Sequence, residues 1–119
     1  MAEQKPVRVE KPWGHELIWA RTDRYVGKIL HINEGHALSL QYHVRKDETV
    51  HVLNGRMRFQ TGGEGEPLTD RVLGPGESFH ITPLLRHRMI AETDCDILEA
   101  STPELDDVVR LEDRYGRAK

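Results

Sequence analysis

The stretch Leu38-Ser39-Leu40-Gln41-Tyr42-His43-Val44-Arg45-Lys46-Asp47-Glu48-Thr49-Val50-His51-Val52-Leu53-Asn54-Gly55 decides the fold. It contains two short β-forming runs, 38–43 and 48–53, closed by Asn-Gly. Strand side chains alternate between faces. Ser39, Gln41 and His43 therefore share one face, and Leu38, Leu40 and Tyr42 the other. Glu48, Val50 and Val52 share a face of the second run. Asn54-Gly55 precedes Arg56-Met57-Arg58-Phe59. It predicts a hairpin there, because both turn residues accept positive φ.

The same rhythm extends in both directions. Segments near 15–19, 25–33, 56–60, 69–73, 78–82, 87–91 and 95–100 are short and rich in Val, Ile, Leu, Tyr and Phe. Turn residues separate them at roughly ten-residue spacing, which predicts an all-β sandwich or barrel. Gly62-Gly63-Glu64-Gly65-Glu66-Pro67 reads as a flexible loop and Gly74-Pro75-Gly76 as a tight turn. The tail from Pro103 predicts either a short helix over Asp106 to Asp113 or an extended wrap around the barrel.

Composition bounds the rest. The 119 residues make one domain, with a core at about 8–102 and a tail at 103–119. Charged residues are 31% and the net charge is −3, so the field favours neither nucleic acid nor an anionic membrane. No apolar run is long enough to span a bilayer, and Met1-Ala2-Glu3-Gln4-Lys5-Pro6 has no hydrophobic signal core. Cys95 is the single cysteine and reads as a small packing residue. These features predict a cytoplasmic location.

The inward face of the decisive stretch carries the chemistry. In 87–91, His87 shares a face with Met89 and Ala91. A closed barrel brings Gln41, His43, Glu48 and His87 toward one interior point. Imidazole with carboxylate suits one divalent metal: Zn, Mn, Fe, Co or Ni. The ordered set Gly35, Gln41-x-His43, Glu48, Gly55, Gly76 and His87 resembles the two-part signature of the cupin superfamily. In that family a glycine is followed by a ligand six residues on, a His two further, a Glu five later and a closing Gly. Gln41 stands where many cupins have a first His. The resemblance implies a double-stranded β-helix, a jelly-roll-like barrel, commonly dimeric. In the second part, Thr82, Leu84 and Ala91 stand where many cupins have Pro, Gly and Asn.

A narrower resemblance covers residues 8 to 117. Lys11-Pro12-Trp13-Gly14, Leu38-Ser39-Leu40-Gln41-x-His43, Glu77-Ser78, His87-Arg88 and the tail Asp106 to Arg117 resemble the cupin domain of type II phosphomannose isomerases. Val44 and Arg45 stand where that family has further histidines. The resemblance implies metal-dependent interconversion of mannose 6-phosphate and fructose 6-phosphate. That family's cupin is often fused behind a mannose-1-phosphate guanylyltransferase domain, so nucleotidyl transfer is not expected of these 119 residues.

An isomerase needs a base beside the metal. Glu48 is committed as a ligand, so the candidates are Lys28, which shares a face with Leu30 and Ile32, and Glu99, which shares one with Ile97. A sugar phosphate needs a cationic grip, and Arg110, Arg114 and Arg117 in the tail are the candidates. Arg88 follows an inward His and is expected to point outward. Trp13 reads as a plug at the barrel end, with a sugar-stacking platform as the other reading. His15, His31, His36, His51 and His80 have no ligand spacing and read as ordinary polar residues. The apolar face of Leu38, Leu40 and Tyr42 needs cover from another strand or a partner subunit, which fits a homodimer. Two competing functions stay open: a non-haem iron dioxygenase, and a non-catalytic sugar- or metabolite-binding module.

Overall fold

The computed structural model describes residues 3–118; Met1 and Ala2 of the N-terminal segment read above lie outside them. Among those residues there is no helix, and eleven strands form two antiparallel sheets. The strands are β1 (Val7–Lys11), β2 (Gly14–Arg21), β3 (Val26–Ile32), β4 (Leu40–Tyr42), β5 (Glu48–Asn54), β6 (Met57–Gly62), β7 (Thr69–Leu73), β8 (Ser78–Ile81), β9 (Arg86–Ala91), β10 (Cys95–Ser101) and β11 (Val109–Glu112). One sheet runs β1-β2-β3-β10-β5-β8 and the other β11-β4-β9-β6-β7. Strand β1, over Val7-Arg8-Val9-Glu10-Lys11, went unread in the sequence because charged residues interrupt its two valines.

The inward side chains form rows across the sheets, and the rows are graded. At one end Ile32 pairs with Cys95, and Met57 with Ala91; all four are essentially buried. Val50, Val52, Phe59, Ile81 and Ile97 are fully enclosed and Trp13 nearly so. Burial of each such side chain contributes about 1.5–3 kcal/mol. Toward the other end the rows turn polar: Lys28 pairs with Glu99, and Gln41 with His87. The apolar half holds the barrel shut, and the polar half is left as a cavity of about 240 Å³.

Two expectations are corrected here. The Asn54-Gly55 turn is not a hairpin. Strand β5 pairs with β10 and β8, whereas β6 pairs with β9 and β7 in the other sheet. The turn carries the chain between sheets. Only the glycine of the pair takes positive φ: Gly55 has φ +87°, and a Cβ there would lie 2.2 Å from the Asp94 carbonyl oxygen. Turn chemistry sets a local reversal, but the partner strand is set by which sheet edge is free. Second, of the two readings of the tail, the helix over 106–113 is not formed and the extended one is. Val109 to Glu112 pair with β4 instead, Arg110 opposite Gln41. The tail thereby covers an otherwise bare strand edge.

The inward–outward alternation of 38–43 holds only from Leu40, where the strand proper begins. Leu38 departs from it and lines the cavity. Arg88 is half-buried and reaches Glu112 of β11 at 2.8 Å, so it ties the tail down. Leu84, on the turn before His87, has φ +71° although it carries a side chain. Its N–H donates to the His43 carbonyl at 2.7 Å, which holds the two histidine-bearing segments together. The left-handed region costs a residue with a Cβ about 1–2 kcal/mol, and glycine returns part of that through unfolded-chain entropy. Leu84→Gly should therefore raise unfolding stability by up to about 1 kcal/mol in urea denaturation. A destabilised Leu84→Gly would show that the side chain, 53% exposed, makes contacts worth more than the strain.

Candidate metal centre

Three buried side chains meet where the sheets face each other at the polar end. His43 follows β4, Glu48 opens β5 and His87 sits in β9. One ligand atom from each lies within 4.8 Å of the others. His43 Nδ1 donates to the Asp107 carbonyl at 2.6 Å, and His87 Nδ1 to the Leu85 carbonyl at 2.9 Å. Both rings therefore turn an Nε2 lone pair inward. His43 Nε2, His87 Nε2 and Glu48 Oε2 are buried without hydrogen-bond partners. His43 Nε2 and Glu48 Oε2 stand 2.9 Å apart, out of line for a hydrogen bond. The Lys46 ammonium, 3.3 Å from the same Glu48 Oε2, offsets that carboxylate's charge, but buried imidazole lone pairs converging beside it are costly unless a further cation joins them. The donor set, two neutral imidazoles and a carboxylate, fits a divalent transition metal with open positions.

The electrostatics agree with that donor set. Burial by itself would raise the Glu48 carboxyl, but His43, the Lys46 ammonium and His87 outweigh it and hold it at about 2. Burial pushes the His87 imidazole down, toward the neutral form a metal requires.

Over residues 28–100 the chain matches the family model described as the cupin domain. This chain belongs to the cupin family. The cupin is 34% identical over 114 residues to mannose-1-phosphate guanylyltransferase ManC of Salmonella typhimurium, a match covering 92% of this chain and 23% of that protein. It thus spans about a quarter of the length of the curated relatives it matches. KdgF from Halomonas sp. superposes with a TM-score of 0.71 at 24% identity, over 87% of this chain and 91% of that one. The capsular polysaccharide assembling protein CapF from Staphylococcus aureus superposes with a TM-score of 0.76 at 16% identity, over 93% of this chain and 35% of that one. Both superpositions speak for the fold. No helix among the described residues of this cupin is long and apolar enough to cross a membrane.

The cavity of the cupin is lined by His43 and Glu48 of the triad and by further polar side chains. Gln41 lies on its wall, directly opposite His87 across the strand pair, and its Oε1 accepts from Ser39 Oγ at 2.6 Å. Lys28 and Glu99 both line it and are 6% and 4% exposed. Lys28 Nζ lies 3.3 Å from Glu16 Oε1. Lys46 is 6% exposed and lies 3.3 Å from Glu48 and 3.2 Å from Glu99. Burial disfavours the Lys46 ammonium, but Glu99 and Glu48 outweigh it and raise its pKa. Burial and the nearby Glu48 charge push the Glu99 carboxyl up, beyond what Lys46 and Lys28 take back. The result is a file of alternating charges, Glu48–Lys46–Glu99–Lys28–Glu16, running across the sheet from β5 to β2.

The tail arginines are divided. Arg110 and Arg117 line the cavity mouth, and Arg110 Nε is buried without a partner. Arg117 is held by the Asp113 carboxylate through Nε and a second guanidinium nitrogen, both at 2.9 Å. Arg114 points elsewhere and donates to the Gly35 carbonyl at 3.0 Å. Lys11 of β1 joins the mouth.

Lys46, Glu16, Lys11 and Asp107 were not singled out in the sequence. Lys46 and Asp107 lie in non-strand segments, where alternation gives no facing. Lys11 belongs to the unread β1. Glu16 alternates with Ile18 on β2, so its inward facing was legible once that strand's core face was known. Trp13 sits in the core cluster and also forms cavity wall. The remaining histidines have partners away from the site: His31 with Asp96, His36 with Tyr115, His51 with Ser78 and His80 with Asp47, while His15 stacks on His31.

Proposed function

We propose that this cupin is a metal-dependent sugar-phosphate isomerase of the mannose-6-phosphate isomerase type. One observation carries the reading: a single cavity is lined by His43 and Glu48 of the triad, by a buried acid flanked by two buried lysines, and at its mouth by Arg110, whose Nε has no partner among the described residues. A divalent metal held by the triad, with Gln41 as a fourth side chain, would polarise a substrate oxygen and stabilise charge on it. The chain's own residues do the rest. Aldose–ketose exchange moves one proton between adjacent carbons, so it needs a base that is not a ligand. Glu99 fits, because it is buried on the cavity wall and is not a ligand, burial and the Glu48 charge raise its hold on a proton, and Lys46 at 3.2 Å steadies its charged form. Lys28, paired with Glu16 and beside Glu99 on the neighbouring strand, orients substrate hydroxyls.

Arg110 and Lys11 grip the phosphate. Arg110 stands opposite Gln41, which stands opposite His87, so two strand spacings separate the two functions. That is about 10 Å, a span that an open six-carbon chain ending in phosphate covers.

Incubation with mannose 6-phosphate and each of Zn, Mn, Fe(II), Co and Ni should yield fructose 6-phosphate with at least one metal, and His43→Ala should abolish the yield. No turnover with any metal would reject this substrate. Oxygen consumption with Fe(II) would instead favour a dioxygenase. Thermal stabilisation by the sugar phosphate without turnover would favour a binding module.

A further inference from the structure

Asp107 lies in the tail, sixty-four residues from His43, yet it contacts the metal-binding segment at four points. Its main-chain carbonyl accepts from His43 Nδ1 at 2.6 Å. Its carboxylate accepts from three consecutive backbone N–H groups, those of Val44 at 3.0 Å, Arg45 at 2.7 Å and Lys46 at 2.8 Å. A carboxylate seated in a nest of successive N–H groups is a strong, directional clamp. The clamped turn is the one that connects His43 to Glu48 and carries Lys46.

We infer that Asp107 is a positioning residue for the metal centre: its carboxylate locks the 44–46 turn so that its own carbonyl fixes the tautomer and direction of the His43 ring. The inference rests on the reading that the triad holds a divalent metal. Two independent demands meet in one residue. An imidazole ligand needs its far nitrogen protonated and held, or its lone pair wanders from the metal. The turn between two ligands needs its N–H groups satisfied, because it contains no strand pairing. Asp107 meets both, and the tail strand β11 that follows it is itself paired to β4, the strand leading into His43. The C-terminal segment is therefore part of the centre's scaffold, and unseating it releases a ligand.

The test uses the full chain with zinc alone as probe. Asp107→Ala should lower zinc affinity by about 10–100-fold, the usual effect of losing a residue that orients a ligand. Asp107→Asn retains one acceptor oxygen and should fall between Asp107→Ala and wild type. Asp94→Ala removes a different carboxylate cap, the one on the Glu34 N–H at 2.7 Å, and should leave zinc affinity unchanged. Without metal, imidazole nitrogen NMR of the wild type should show His43 protonated at Nδ1. Asp107→Ala should mix the tautomers and speed amide exchange at 44–46. A folded Asp107→Ala with zinc affinity within about twofold of wild type would overturn the inference. So would wild-type His43 protonated at Nε2, or, should the alanine variant not fold, an asparagine variant of undiminished affinity. Wild-type protein that takes up no metal would reject the metal reading instead, and the tautomer and exchange data would still decide the role of Asp107.

Discussion

His43→Ala and His87→Ala should each weaken zinc binding by at least about 100-fold in competition with a chromophoric chelator. Outer residues that orient a metal ligand typically contribute about 10–100-fold, and loss of a ligand exceeds that. With either imidazole gone, one nitrogen and one carboxylate remain of the triad, too few for tight binding to a site of this type. Gln41→Ala should cost less, at most about tenfold, because the Gln41 oxygen is already engaged by Ser39 and an amide is a weak ligand beside imidazole. Circular dichroism would confirm that the variants fold. Histidine variants that bind zinc like wild type would place the metal elsewhere. A Gln41 variant as weak as the histidine variants would make the amide a ligand of the same weight as the imidazoles.

Lys46→Met should lower unfolding stability by about 3–5 kcal/mol in urea, the largest stability loss expected of any single charge in the chain. The methylene stem is preserved, so packing changes little. What disappears is the ammonium between Glu48 and Glu99, at 3.3 and 3.2 Å, in a site where all three side chains are almost wholly buried. Two carboxylates then face each other in a low-dielectric pocket with no cation between them. The sign is set by the pair that remains, not by the strength of the ion pairs removed. Replacing Glu99 with Gln in the same chain should recover part of the loss, since one unpaired charge goes with it. Saturating zinc should recover part as well, because a dication at the triad supplies charge beside Glu48. A Lys46→Met protein within about 1 kcal/mol of wild type would mean that water reaches these groups and that the file of charges is solvated.

Legibility in the sequence followed regular strand structure. Strand positions could be read because alternation transmits facing from residue to residue. Gln41, Lys28 and Glu99 were placed inward by parity alone, and the structure puts all three on the cavity wall. Parity stopped working wherever the strand stopped. Leu38 precedes β4 and turned inward against its predicted face. Asn54-Gly55 announced a turn correctly and a pairing incorrectly, since the positive φ of Gly55 is a local property and the pairing is not.

The amino-acid sequence by itself determined an all-β barrel, a polar inner face, and the imidazole and carboxylate groups that converge there. Those follow from period-two patterning and ligand spacing, which are local. Only the tertiary structure decided that Lys46 bridges Glu48 and Glu99, that Arg114 leaves the mouth while Arg110 stays, and that Asp107 holds the His43 ring. Each of these depends on a non-strand segment or on a pairing between residues far apart in the chain. Such contacts are selected by which backbone groups and sheet edges are left unsatisfied once the barrel closes, and no window of sequence contains that information.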